Sequence, residues 1–355
     1  VNYALRQSRM KTAVGDSGLD ALVVSHPANV AYLTGFTGSN GQVVIHASDS
    51  TPDMLLTDRR YEGRTGDAGT LQVVFDTLTT VLENEHGTVG IEAQHVSWAT
   101  VQRLKKDMAE VVTLRATSGM VEDFRQYKDA DELAQLKAAC DITVAALGHV
   151  FDTRLEGETE QAIAWRVQHT MRELGADGDA FAPIVATGVN GAIAHHSPST
   201  LTVQRGTLLT IDCGARVNGY HADYTRTVAV GAAPPSKLAN IHHLVRDAQH
   251  AATAQMVAGA LVGDVDQAAR HIIEQAGYGA FFVHGTGHGV GLEIHEAPLI
   301  GPKATARLAP AVTCTSEPGI YLPGVGGVRI EDTVVVTASG APQILTEAPR
   351  DLVIV

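Results

Sequence analysis

The pair Asn218-Gly219 constrains this chain more than any other feature. It sits between two runs, Thr207-Leu208-Leu209-Thr210-Ile211-Asp212-Cys213-Gly214 and Tyr220-His221-Ala222-Asp223-Tyr224-Thr225. Asn-Gly is a strong hairpin signal, because a type I′ turn needs positive φ at both central positions. With that turn, Val217 pairs with Tyr220, Gly214 faces Asp223, Asp212 faces Thr225 and Ile211 faces Arg226. Asp212 and Asp223 then share a face as diagonal neighbours, with Cα atoms about 7–8 Å apart. Carboxylates converging from there can bracket two metal ions about 3.5–4 Å apart. Gly214, without a side chain, is expected to leave room for a cation. Two solvated aspartates on an open sheet face are an equally good reading of the pair alone. If they do converge, they repel each other and need a cation or a shared proton.

Further along the chain lie the other groups such a cation would want. Glycines surround His288 in His284-Gly285-Thr286-Gly287-His288-Gly289-Val290-Gly291, which allows close backbone approach to a buried ion. Glu317 ends an apparent strand in Thr315-Ser316-Glu317-Pro318-Gly319. In Val328-Arg329-Ile330-Glu331-Asp332-Thr333, alternation puts Arg329, Glu331 and Thr333 on one face. A base and an acid on the inner face of a strand need partners, and a metal supplies one for Glu331.

The rest of the chain divides in two. Up to about residue 118, strands at 21–24, 42–45, 71–75 and 88–91 alternate with helices near 3–17, 60–68, 77–84 and 97–108. This is an α/β domain with helices on a mixed sheet. Gly35-Phe36-Thr37-Gly38-Ser39-Asn40-Gly41 lacks the Gly-Lys-Ser/Thr of a phosphate loop and reads as a turn. From 119 onward the expectation is an α+β domain. Its helices run from the acidic start at Lys128-Asp129-Ala130-Asp131-Glu132, at 158–174, at 235–260 and at 264–276 behind Gly263-Asp264. Its strands are expected at 207–213, 222–230, 311–317 and 327–336.

A net charge of −13 argues against nucleic-acid phosphates or anionic lipid as partners. No run of about 18 apolar residues predicts a membrane span, and the first residues lack the apolar segment of a secretory signal. Three scattered cysteines, with no Cys-x-x-Cys spacing, fit a reducing, cytoplasmic setting. Cys213 alternates with Asp212 and is expected to pack on the opposite side. His284 is read as a strand-end or core residue, and His196 as pointing away from His195.

At these residues the chain resembles the pita-bread metallopeptidases, in their proline-selective branch of prolidases and Xaa-Pro aminopeptidases. The resemblance rests on Ala194-His195-His196-Ser197-Pro198, Asp212-Cys213-Gly214-Ala215, Asp223-Tyr224-Thr225-Arg226-Thr227 and Gly287-His288-Gly289-Val290-Gly291-Leu292. It continues in His295-Glu296, Ser316-Glu317-Pro318-Gly319 and Arg329-Ile330-Glu331-Asp332. It is weaker over the first domain, in Asn29-Val30-Ala31-Tyr32-Leu33-Thr34-Gly35-Phe36 and Thr57-Asp58-Arg59-Arg60-Tyr61.

The resemblance implies a pita-bread catalytic domain at 119–355 behind a smaller creatinase-type α/β domain at 1–118 that gates substrate and dimerises. It implies five metal ligands, Asp212, Asp223, His288, Glu317 and Glu331. It also implies catalytic or substrate-binding roles for His195, His295, Glu317 and Arg329. Such an oxygen-rich set suits two divalent ions, Mn²⁺ first and Co²⁺ or Zn²⁺ after it. The implied reaction is hydrolysis of an Xaa-Pro dipeptide by a metal-bridging hydroxide in a homodimeric enzyme. The alternative is an Xaa-Pro aminopeptidase acting on longer peptides. A methionine aminopeptidase would match only the second domain, while a non-catalytic binding module or a metal-free creatinase-like enzyme would have lost the ligands.

Overall fold

The computed structural model describes residues 1–66, 68–83, 85–107 and 112–355, and the chain forms two compact units, Val1–Arg125 and Gln126–Val355. The division falls after residue 118. Glu122 and Arg125 belong to the first unit, where both bond the buried side chain of Asn29.

The first unit holds a six-stranded mixed sheet. Its order is Gln72–Val74, Met54–Thr57, Gly41–His46, Ala21–Val24, Gly87–Glu92, Val112–Thr117. Val23, Val44, Leu56 and Val89 pack on Leu78, Leu82 and Leu104 of the helices Leu78–Leu82 and Trp98–Asp107. The expected helix ends at 84 and 108 lie outside the described residues. Two strands, Met54–Thr57 and Val112–Thr117, and the helix Pro27–Thr34 escaped the pattern reading. The helix expected at 60–68 is instead one 3₁₀ turn, Arg59–Tyr61, begun by Asp58, whose carboxylate accepts the Arg60 N–H. Gly63 and Gly66, both at positive φ, stop it from propagating.

In the second unit, helix Ala130–Phe151 opens on a complete capping box of Asp129 and Glu132. Helices Glu160–Glu173, Ser236–Gln255 and Val262–Gln275 follow. The last begins before Asp264, which lies in its first turn rather than capping it. The strands Ile184–Thr187, Leu208–Cys213 and Tyr224–Ala229 form one antiparallel sheet. Along it Leu209, Ile211 and Cys213 face the apolar cluster built with the first two helices. A second cluster joins the last two helices to strands Thr313–Ser316, Gly326–Arg329 and Asp332–Val335. Burying one face of each sheet under helices leaves the other face for polar residues.

The hairpin register is the expected one, with Val217 opposite Tyr220, Asp212 opposite Thr225 and Ile211 opposite Arg226. Asn218 and Gly219 both take positive φ, at 48° and 85°. Gly214 differs from the expectation. A Cβ there would lie 1.9 Å from the carbonyl oxygen of Ala222, so the missing side chain admits the facing strand rather than a cation. The single strand expected at 327–336 is two. Gly326–Arg329 pairs with Gly319–Leu322, while Asp332–Val335 pairs with Thr313–Ser316.

Candidate metal centre and cleft

Five strands and the links beside them bring the acidic groups and His288 together. Asp212 is the penultimate residue of strand Leu208–Cys213 and Asp223 precedes Tyr224–Ala229, both within the aspartate hairpin. His288 lies at the centre of Gly287–Gly289, and Glu331 occupies the link between Gly326–Arg329 and Asp332–Val335. Ligand atoms of Asp223, His288 and Glu331 lie within 4.8 Å of one another, and all three residues are buried. Asp212, Asp223, His288 and Glu317 line one cavity of about 660 Å³. Glu331 sits behind that lining, 1% exposed.

Each group is aimed by a neighbour. The Oγ1 of Thr225, directly opposite Asp212, donates to Glu331 Oε2 at 2.7 Å and accepts from Arg329 Nε at 3.2 Å. Thr315 Oγ1 accepts the His288 N–H and donates to Glu317 Oε1. The Nδ1 of His288 lies 3.0 Å from the carbonyl of Gly289, which assigns the N–H to Nδ1 and turns Nε2 toward the carboxylates. That Nε2 is 3.2 Å from Glu317 Oε1 and 3.5 Å from Asp223 Oδ2. Arg329 Nη2 holds Asp212 Oδ2 at 2.6 Å.

Electrostatics show what this arrangement requires. Burial, then repulsion from Asp212, drives the Asp223 carboxyl well above its ordinary range. Glu331 is raised in the same way, by burial and then by Asp223 and Glu317. Burial lowers His288, but Glu317 and Asp223 outweigh it and lift the imidazole to about 9. Glu317 answers in the opposite direction: burial raises it, and His288 brings it down to about 2. Two buried carboxylate oxygens, Asp212 Oδ1 and Glu331 Oε1, have no hydrogen-bond partner. Unpartnered buried carboxylate oxygens are costly unless a cation satisfies them. The donor set therefore fits divalent metal. A proton on His288 and a cation among these groups are alternatives, since a coordinating imidazole is neutral.

Of the other expected residues, His195, His295 and Arg329 line the same cavity. The rings of His295 and His288 meet edge-on at 4.4 Å. His196 turns to Glu160, a fully buried carboxylate that also accepts from Thr187, Asn190 and Ser199 and so anchors the loop carrying His195. His284 bonds the carbonyl of Gly285 and the hydroxyl of Tyr321. Cys213 is fully buried in the apolar cluster, and burial raises its thiol. Arg329 is held by protein partners through four of its five N–H groups: Asp212, Thr225, the Tyr321 hydroxyl at 2.9 Å and the carbonyl of Ala194. Sequence reasoning missed Thr225, Glu160 and Tyr321. Only Thr225 carried a signal, its register position opposite Asp212.

Comparison with known proteins identifies the family. Residues 134–338 match the model described as Metallopeptidase family M24, and residues 6–127 match the Creatinase/Prolidase N-terminal domain. The chain is 34% identical to an Xaa-Pro dipeptidase of Pyrococcus furiosus, over 98% of this chain and 99% of that one. An Xaa-Pro dipeptidase from Bacillus anthracis superposes with a TM-score of 0.94 at 32% identity, covering 100% of both chains. An X-Pro aminopeptidase from Thermotoga maritima does so at 0.89 and 33% identity, over 98% of this chain and 99% of that one. The convergence of buried acids on His288, and the match of both units, lead to one conclusion: the chain belongs to metallopeptidase family M24, the pita-bread metallopeptidases, and is a metal-dependent peptidase preceded by a creatinase/prolidase-type domain.

Proposed function

We propose that this enzyme hydrolyses the peptide bond preceding proline, using two divalent ions, Mn²⁺ foremost, held by Asp212, Asp223, His288, Glu317 and Glu331. The observation that carries the metal reading is the pair of unpartnered buried oxygens on Asp212 and Glu331, set among acids that repel one another. When bound, the ions supply a Lewis acid for the scissile carbonyl and acidify a water molecule. The chain's own groups do the rest. The nitrogen of proline leaves as a secondary amine and needs a proton, and a Glu317 carboxylate oxygen is the carrier we assign to it. Burial, then the neighbouring His288, lowers the His295 imidazole from its ordinary value. With His195 it donates toward the developing oxyanion or the substrate backbone.

Proline selectivity is supported by the relatives named for Xaa-Pro bonds and by the apolar flank of the cavity, where Phe181, Pro183 and Ile294 can receive a ring. Relatives named as dipeptidase and as aminopeptidase match at similar identity. The choice between a dipeptide and a longer chain therefore turns on how the cavity meets the end of the substrate. Three buried, unpaired cysteines suit the cytoplasm, and a homodimer is the family expectation.

The test joins metal content to activity. The enzyme is expected to bind about two Mn²⁺ per chain, and Asp223→Asn to lose most of that metal and essentially all Xaa-Pro hydrolysis while its circular dichroism stays unchanged. A metal-replete, active Asp223→Asn enzyme would remove Asp223 from the ligand set. A wild-type protein that takes up no metal would sink the proposal as a whole.

A further inference from the structure

A free Xaa-Pro dipeptide ends in a carboxylate directly after the proline ring. An enzyme that selects dipeptides needs a partner for that charge, because a carboxylate moved from water against apolar groups without one is strongly disfavoured. Among the described residues, the cavity is lined by five histidines, three acids, one arginine and no lysine. The arginine is Arg329. It is 4% exposed, and all three of its side-chain nitrogens are engaged by Asp212, Thr225, Tyr321 and Ala194. Freeing it for a substrate would strip Asp212 of its counter-charge.

The histidines offer little more. His196 is held by Glu160, His284 by Gly285 and Tyr321, and His288 stands among the metal-site acids. His195 and His295 remain, and both are already assigned to the developing oxyanion or the substrate backbone. The outer wall is apolar. Leu299 lies directly across from His288 on the neighbouring strand, lines the cavity and is 70% exposed, and Ile294 and Pro302 line the same cavity.

From this charge inventory we infer that the cleft takes Xaa-Pro peptides whose chain continues past the proline, and that the enzyme is an Xaa-Pro aminopeptidase rather than a dipeptidase. A continuing peptide bond is neutral and passes the Leu299 wall without an unpaired charge. The inference rests on the Xaa-Pro reading above and reverses the dipeptide expectation drawn from resemblance.

The full-length, Mn²⁺-loaded enzyme is to be assayed at neutral pH on Leu-Pro, its amide Leu-Pro-NH₂ and the tripeptide Leu-Pro-Ala. The amide separates charge from length. Both it and the tripeptide are expected to show kcat/KM roughly ten-fold or more above Leu-Pro. Leu299→Arg, which places a cation on the apolar wall, is expected to narrow that gap by raising the rate on Leu-Pro alone. If Leu-Pro is cleaved as fast as its amide or faster, the inference is overturned while the Xaa-Pro reading stands. If none of the three is cleaved, the Xaa-Pro reading fails and this inference falls with it.

Discussion

The phenol of Tyr321 lies between an imidazole and a guanidinium. His284 carries its proton on Nδ1, against the carbonyl of Gly285, so its Nε2 accepts the Tyr321 O–H at 2.8 Å. The phenol oxygen accepts in turn from Arg329 Nη1 at 2.9 Å, and Arg329 Nη2 holds Asp212. Burial lowers His284, which keeps it neutral and fit to accept. Tyr321→Phe removes the central link and leaves two buried groups short of a partner, at a cost of about 1–3 kcal/mol. The expected result is a folded enzyme with wild-type metal content and a kcat lower by roughly ten-fold, because Asp212 is then held less firmly. Metal analysis beside steady-state kinetics checks this, and an unchanged kcat would show that the link to Arg329 does not matter to turnover. None of this chain was visible in the sequence. Asn218-Gly219 announces a turn type, and the turn type dictates register, so the placement of Asp212 and Asp223 was legible from local rules alone. Tyr321 meets His284 and Arg329 only through tertiary packing, which no periodicity encodes.

Among the elements, the break between Gly326–Arg329 and Asp332–Val335 matters most. Alternation put Arg329, Glu331 and Thr333 on one face of a single strand, and all three do converge on the aspartate hairpin. Thr333 donates to the carbonyl of Asp223, while Arg329 and Glu331 share Thr225. Yet the two strands pair with different neighbours, so the convergence comes from the link between them. Asp332 pins that link. Fully buried, it accepts from Arg226, Gln249 and Thr346 and pairs with Arg350, while Arg226 also donates to the backbone carbonyl of Glu331 at 2.6 Å. Removing one partner of a buried ion pair costs about 3–5 kcal/mol, since the remaining charge is stranded. Asp332→Ala is therefore expected to lower the stability of the second unit by about that amount and to weaken metal binding through Glu331. Denaturant unfolding with and without Mn²⁺ measures both effects. A loss below about 1 kcal/mol would place the pair among ordinary surface salt bridges.

At the scale of the molecule, the described hydrophobic clusters of the two units are separate, and the first unit contains a pH-sensitive contact of its own, as the second does at His288. His46, 3% exposed at the end of strand Gly41–His46, lies 2.9 Å from Glu85 through Nε2 and 3.5 Å from Asp53 through Nδ1. The longer contact is an ion pair rather than a hydrogen bond. Burial alone would lower the imidazole, but the two carboxylates outweigh it and raise it to about 9 from an ordinary 6.5. A pKa raised in the folded state stabilises that state fully below the unfolded value, and the gain is lost as pH climbs through the folded one. The relevant window runs from pH 6.5 to about 9. With one pKa unit worth about 1.4 kcal/mol, the loss is at most about 3.5 kcal/mol. Because the cores are separate, the loss is expected in the first unit, while the unfolding of the catalytic unit stays unchanged by His46. Hydrogen exchange reads the units separately. Across that window the amides of Val43, Val44 and Ile45 should lose protection beyond the intrinsic rise with pH, and His46→Gln should abolish the excess. An excess loss at Leu209 and Ile211 that His46→Gln also abolishes would mean that the two units unfold as one, and that the His46 contact is not confined to its own domain.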